Sequence, residues 1–210
     1  MKVVCISDTH GRHERLFLQP CDLLVHAGDM TVRGRWAELE SFAAWFARQR
    51  ATHKVFIAGN HDLCCERDAQ RVRRLAAQID AHYLCDEGVQ IEGRTVWGSP
   101  MTPRFRDMAF NRDRGDAIAR HWAEIPGGLD LLVTHGPPHG IGDRMFLGRH
   151  VGCEALAARV RQVPPRVHVF GHIHEDAGSH DVGDVPTRFF NVASSRLIRR
   201  GPRPAVTFEL

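Results

Sequence analysis

The 210 residues carry 28 Lys and Arg against 25 Asp and Glu, a formal charge of +3, and 43% of them are hydrophobic. That composition supports one domain, residues 1–210, with a sizeable core, and its charge is too balanced to mark a membrane surface or a long nucleic acid as partner. Six cysteines without a Cys-x-x-Cys pair (Cys5, Cys21, Cys64, Cys65, Cys85, Cys153) read as free buried thiols, and no run reaches the ~20 apolar residues of a membrane span, so the expectation is a soluble, cytoplasmic protein.

The first apolar run, residues 2–6, is too short for a signal peptide and leads into Asp8-Thr9-His10. Runs 23–26 and 54–58 are also of the buried-strand type and end in Gly28-Asp29 and Gly59-Asn60-His61-Asp62. Between them, Trp36, Leu39, Phe42, Ala43 and Phe46 recur at helical spacing and predict an amphipathic helix over 35–50. A second helix is predicted over 68–79. Residues 89–91 and 95–97 flank Glu92-Gly93-Arg94 as the arms of a hairpin. Helix 112–124 is closed by Pro126-Gly127-Gly128, and strand 130–134 runs into His135-Gly136. Helix 154–162 stops at Pro164-Pro165, and strand 166–170 leads to Gly171-His172-Ile173-His174. Residues 187–192 and 205–210 look like closing strands. The pattern is α/β, and the hairpin with the strand-rich C-terminus predicts two packed sheets.

Five blocks rich in carboxylate, amide and imidazole groups thus sit where apolar runs end, the junctions at which α/β proteins gather catalytic groups. Two ions roughly 3.5–4 Å apart can share one hydroxide and touch the oxygens of one phosphoryl group. Asp29 is the expected bridge, because a carboxylate offers two oxygens where an imidazole offers one nitrogen. Asp8, His10 and His174 then complete the first site, and Asn60, His135 and His172 the second. Asp8-x-His10 and His172-x-His174 have the alternation of extended segments, in which residues two apart project to the same side. Mixed nitrogen and oxygen donors without thiolate suit manganese, the first choice, or iron, zinc or nickel. A specified four-residue string such as Gly59-Asn60-His61-Asp62 arises about once in 10⁵ positions.

In this order the blocks Asp-x-His, Gly-Asp, Gly-Asn-His-Asp, His-Gly and Gly-His-x-His resemble the calcineurin-like metallophosphoesterase superfamily. Ala58 to Asp62, Thr134 to Pro138, Phe170 to Glu175, Trp97-Gly98-Ser99-Pro100 and Phe110-Asn111 are similar to the brain-protein-239-like subgroup of metallophosphoesterase-domain proteins. The resemblance implies a four-layer α/β/β/α sandwich and a dinuclear phosphodiesterase, with small cyclic nucleotides among the substrates and hydroxide held between the ions as nucleophile. It also implies that His61 is the general acid and that Asp62 orients and charges its imidazole. One departure stands out. Gly28-Asp29-Met30-Thr31-Val32-Arg33-Gly34 resembles the Gly-Asp-x-x-Asp-Arg-Gly of serine/threonine phosphatases, with Val32 in place of the second aspartate.

Arg33 is a substrate-binding candidate as a fork of donors for phosphate, and a solvated arginine otherwise. Phe105, Phe110 and Asn111 lie where a ring could overhang the site, with core packing as the alternative. His26 is either a core histidine or a support for Asp29. A phosphomonoesterase or protein phosphatase on the same centre, and a silent binding scaffold, remain the competing functions. Oligomeric state leaves no mark in the sequence.

Overall fold

The computed structural model describes residues 1–196 and 201–210. In chain order its elements begin with β1 (Lys2–Ile6), β2 (Cys21–Ala27), α1 (Trp36–Ala47) and β3 (Ala51–Ile57). Helices α2 (Leu63–Arg67) and α3 (Ala69–Gln78) follow, then β4 (His82–Tyr83), β5 (Glu87–Ile91), β6 (Arg94–Ser99), β7 (Thr102–Pro103) and β8 (Asn111–Arg112). The remainder is α4 (Asp116–Trp122), β9 (Leu131–Thr134), α5 (Glu154–Gln162), β10 (Val167–Phe170), β11 (Gly178–His180), β12 (Arg188–Asn191) and β13 (Val206–Glu209).

These strands make two large mixed sheets, ordered β13-β1-β2-β3-β4 and β11-β12-β10-β9-β6-β5, with β7 and β8 as a separate pair. Period-two alternation explains how the sheets stack. Val3, Cys5, Leu23, Val25, Val55 and Ile57 of the first sheet share a buried cluster with Val96, Leu131, Val133, Val167 and Val169 of the second. The intervening residues face outward: His26 and Phe56 pack on Phe42 of α1, at ring-centroid distances of 4.8 and 6.0 Å. On the other outer side, α5 is the crossover between the parallel neighbours β9 and β10 and packs against α4. The architecture is the expected four-layer sandwich.

Several expected elements have different bounds. The hairpin is longer, and its two-residue turn, Glu92-Gly93, has φ of 47° and 76°, as a type I′ turn requires. The helix expected over 112–124 starts only at Asp116, because Asn111 and Arg112 pair with Thr102 and Pro103. Helix α2 is unannounced. The two closing strands serve different sheets: β12 joins β10, and β13 lies antiparallel to β1. Among the described residues no helix is long and apolar enough to cross a membrane. All six cysteines are free, and Cys5, Cys64, Cys65 and Cys153 are buried.

His168 of β10 faces the outer apolar layer, fully buried beside Phe170 and Phe189. Its Nε2 lies 2.8 Å from the Thr134 hydroxyl, which donates to the Gly136 carbonyl, so Nε2–H is the donor and Nδ1 has no partner among the described residues. Burial pushes its pKa down to about 3. The folded chain therefore keeps His168 neutral while the unfolded chain protonates it below about pH 6.5, and stability falls as pH drops from there towards 3. In His168→Leu the slope of unfolding free energy against pH between 6 and 4 should be shallower by one proton, about 1.4 kcal/mol per pH unit. Urea midpoints measured across that range test this; an unchanged slope would contradict it.

Candidate metal centre

The parallel strands β1, β2 and β3 of one sheet and β9 and β10 of the other each end in one of the five blocks. Backbone bonds join the two sheets at this edge, from Ser7 N to the Val192 carbonyl (3.1 Å) and from Ser194 N to the Ser7 carbonyl (2.9 Å). The chain then turns sharply. Asp8, His10, Asp29 and His172 all adopt left-handed φ, at 53°, 42°, 59° and 68°. Such strain in non-glycine residues clusters at functional sites. It also corrects the expected reason for the Asp8-x-His10 and His172-x-His174 spacing, which is not that of extended segments.

Three overlapping groups of possible ligand atoms lie here, one of His10, Asp29 and His61 and two that match the expected sites. Asp8, His10 and His174 have theirs within 4.8 Å of one another, and so do Asp29, His135 and His172. In the first group His174 Nε2 lies 3.2 Å from Asp8 Oδ1 and 3.4 Å from His10 Nε2. In the second, His135 Nε2 is 2.9 Å from Asn60 Oδ1 and 3.4 Å from Asp29 Oδ1. Asp29 turns its other oxygen to the first group, with Oδ2 3.8 Å from His10 Nε2. One carboxylate thus offers an oxygen to each side, as a bridge must.

The imidazoles are aimed by their other nitrogens. His10 Nδ1 donates to the Thr31 carbonyl (3.1 Å) and His135 Nδ1 to the Ala27 carbonyl (2.9 Å). That fixes the tautomer and leaves Nε2 to face the centre. Close approach is enforced by glycine: a Cβ on Gly59 would overlap Asp29 Oδ1 and come 2.6 Å from His135 Cε1, and one on Gly171 would overlap Ser7 Oγ and Asp8 Oδ2.

Charge makes the donor set fit divalent ions. Burial alone would raise both carboxylates, but the hydrogen bond and charge of His174 hold Asp8 far below the usual range. The charge of His135, joined by its hydrogen bond, likewise outweighs burial and brings Asp29 to about 2. Burial works against protonated His135 too, yet the Asp29 charge lifts it to about 9, while burial and neighbouring His135 depress His172 to about 4. Without a metal the two buried carboxylates are thus balanced by protons on imidazoles. Divalent cations are the groups that can replace those protons while taking the oxygen and nitrogen lone pairs directly.

His61 belongs to the rim. Its N–H donates to Asp29 Oδ1 at 2.8 Å, and its ring stands edge-on to His10, 4.7 Å between centroids. Asp62, however, does not orient that ring. Its carboxylate is fully buried and accepts from the N–H groups of Gly59 (2.8 Å), Asp29 (2.9 Å), Met30 (3.3 Å) and Thr31 (2.9 Å) and from the Thr31 hydroxyl (2.8 Å). The partner of His61 Nδ1 is the Val32 carbonyl, at 2.9 Å. Burial and the nearby Asp29 charge push Asp62 up to about 6, against the pull of these five donors.

Phe110 is also corrected: it is 3% exposed and belongs to the apolar core, so its ring cannot overhang a substrate. Asn111 closes its own loop, accepting from Phe105 N (3.0 Å) and donating to the Arg106 carbonyl (2.9 Å). Arg33 is exposed and follows Val32 on the loop into α1, where its N–H donates to Glu38. His26 is a buried histidine that accepts from Gly28 N (3.2 Å) and meets the Thr9 hydroxyl (3.1 Å), so it braces the backbone on either side of the centre. Thr31 and Ser7, whose hydroxyl donates to Asp8 Oδ2, were not anticipated, because serine and threonine beside such blocks are too common to be a signal.

Residues 1–176 match the calcineurin-like phosphoesterase family, and the chain belongs to it. It is 34% identical over 232 residues to metallophosphoesterase domain-containing protein 1 of Homo sapiens, spanning 100% of this chain and 71% of that protein. With the UPF0046 protein K07C11.7 of Caenorhabditis elegans it shares 36% identity over 205 residues, 92% and 69% of the two chains. TT1561 of Thermus thermophilus has the same fold, with a TM-score of 0.62 at 12% identity over 90% of this chain and 88% of that one. Family membership supports metal-dependent phosphoester hydrolysis with two divalent ions.

If Asp62 clamps backbone, Asp62→Asn opposes an amide N–H₂ to existing N–H donors and should cost about 2–3 kcal/mol of stability, with at least tenfold weaker manganese binding. Denaturation and metal titration measure both. Unchanged stability and metal affinity, with only the pH profile altered, would restore the ring-charging role.

Proposed function

We propose that this chain hydrolyses a phosphodiester, by preference a small cyclic nucleotide, using two divalent ions, manganese first among them. Asp8, His10, Asp29, His174, Asn60, His135 and His172 are the proposed ligands. The observation that carries the reading is Asp29, one oxygen turned to His10 and the other to His135. When bound, two such ions activate water at neutral pH and neutralise charge on the phosphoryl oxygens.

The chain's residues would supply the rest. His61, with Nδ1–H committed to the Val32 carbonyl, carries a transferable proton on Nε2 only as the imidazolium and would give it to the leaving alkoxide. Arg33, exposed beside that carbonyl, would meet the phosphate as a fork of donors. Val32, standing where the serine/threonine phosphatase pattern has a second aspartate, speaks against a phosphoprotein substrate. We place the activity in the cytoplasm, on the strength of the free cysteines, and assign it to residues 1–210 as one catalytic domain.

The metal-free chain, reloaded with manganese, should turn over an aryl phosphodiester and a 2′,3′- or 3′,5′-cyclic nucleotide faster than an aryl phosphomonoester. A monoester preference would replace this reading with a phosphomonoesterase, and no turnover with any metal would leave a binding scaffold. His61→Ala should lower kcat on an alkyl ester by about 10²-fold or more and much less on a nitrophenyl ester, whose leaving group needs no proton. Equal losses on both would remove His61 as the acid.

A further inference from the structure

Asp8 has a second neighbourhood. Besides the group it forms with His10 and His174, neither of which lines it, Asp8 borders a small cavity walled by Arg12, Arg15, Ser194, Ser195 and Arg196. Among the described residues none of these three arginines closes an ion pair with an Asp or Glu, and Asp8 is the only acid on the wall. Asp8 is engaged by His174 Nε2, His172 N and the Ser7 hydroxyl, and among the described residues it makes no ion pair with these arginines. Arg203 braces the same wall from outside the cavity, donating to the His174 carbonyl (2.7 Å) and to the carbonyls of Ala193 and Ser195. Its charge adds to theirs.

Among the described residues, two buried polar groups in this wall lack partners. Ser194 is 2% exposed with no hydrogen bond to its hydroxyl, and Arg196 Nε is buried and unpaired. An orphaned buried donor costs about 1–3 kcal/mol, and two of them bordering one cavity beside exposed arginines mark a place for an acceptor that carries negative charge. Ser195 is not free in the same sense, since its hydroxyl donates to the Asp8 carbonyl at 2.6 Å. The cavity, about 20 Å³, has room for a small polar group.

We propose that this cavity is an oxyanion subsite, separate from the metal centre but sharing Asp8 with it, in which Ser194, Arg196, Arg12 and Arg15 hold a phosphoryl group. That group is either a second phosphate of the substrate or free inorganic phosphate. The subsite does not depend on the phosphodiesterase reading, because its occupancy is read without turnover.

Sulfate titrated into the chain as purified, followed by backbone amide shifts, should give saturable shifts at Thr9, Ser194 and Ser195. Binding should weaken at least tenfold in Arg15→Gln/Arg196→Gln. Ser194→Ala, which removes an unpaired hydroxyl, should keep the thermal midpoint and also bind less tightly. Shifts confined to Asn60 and His61, or equal affinity in the double variant, would overturn the proposal. To tell the sources apart, two diesters with the same leaving group are compared, one bearing an extra phosphate. A tenfold rise in KM in the double variant for that one alone assigns the subsite to substrate, and unchanged KM for both with relief of sulfate inhibition assigns it to the free anion.

Discussion

The segment that follows β2 orients the site, and the buried carboxylate of Asp62 holds that segment in place. Where the chain leaves the sheet, the N–H groups of Asp29, Met30 and Thr31 turn away from any strand partner, as does that of Gly59 on the neighbouring loop. Unpaired, each would carry the penalty of a buried donor. Asp62 accepts all four and the Thr31 hydroxyl besides, so the two loops are joined through one ion instead of through a sheet. The carbonyls on the opposite side of the segment then do the aiming: Ala27 fixes His135, Thr31 fixes His10 and Val32 fixes His61. Three imidazoles from three distant blocks take their direction from six consecutive residues.

That arrangement concentrates negative charge where water cannot reach it. Asp8, Asp29 and Asp62 are 0, 2 and 0% exposed, and each is stabilised by a different means. Backbone donors serve Asp62, imidazole charge serves Asp8, and Asp29 draws on both His135 and the His61 N–H. A buried carboxylate without such partners costs several kcal/mol. The surplus of lone pairs directed at the space between the two groups is what makes a divalent cation, and not another side chain, the fitting occupant.

The ligand blocks were legible in the sequence because each is short, rich in chemistry and placed where an apolar run ends. Those runs were read from burial patterns that the two-sheet core then used. Asp62 was misread for the opposite reason. Three of its partners are the backbone N–H groups of Asp29, Met30 and Thr31, about thirty residues earlier, which carry no side-chain signature, while its sequence neighbour His61 offers an obvious but unused one. Phe110 shows a related limit: an aromatic near the site has the same letter whether its ring faces substrate or core, and only packing decides. The pair β7 and β8 and the five-residue α2 are shorter than any periodicity can register.

The position of Val32 separates two questions that the sequence had joined. Had the side chain at 32 been the partner of His61, replacing the aspartate of the phosphatase pattern with valine would have removed support from the proposed acid. The partner is the carbonyl of residue 32, which every residue type supplies, and the valine side chain itself is 47% exposed. A carbonyl fixes the ring's tautomer without adding a charge, so the negative charge of the centre stays with Asp8 and Asp29. The departure from the phosphatase pattern therefore leaves the Nδ1 partner of His61 in place and changes only an exposed side chain next to Arg33.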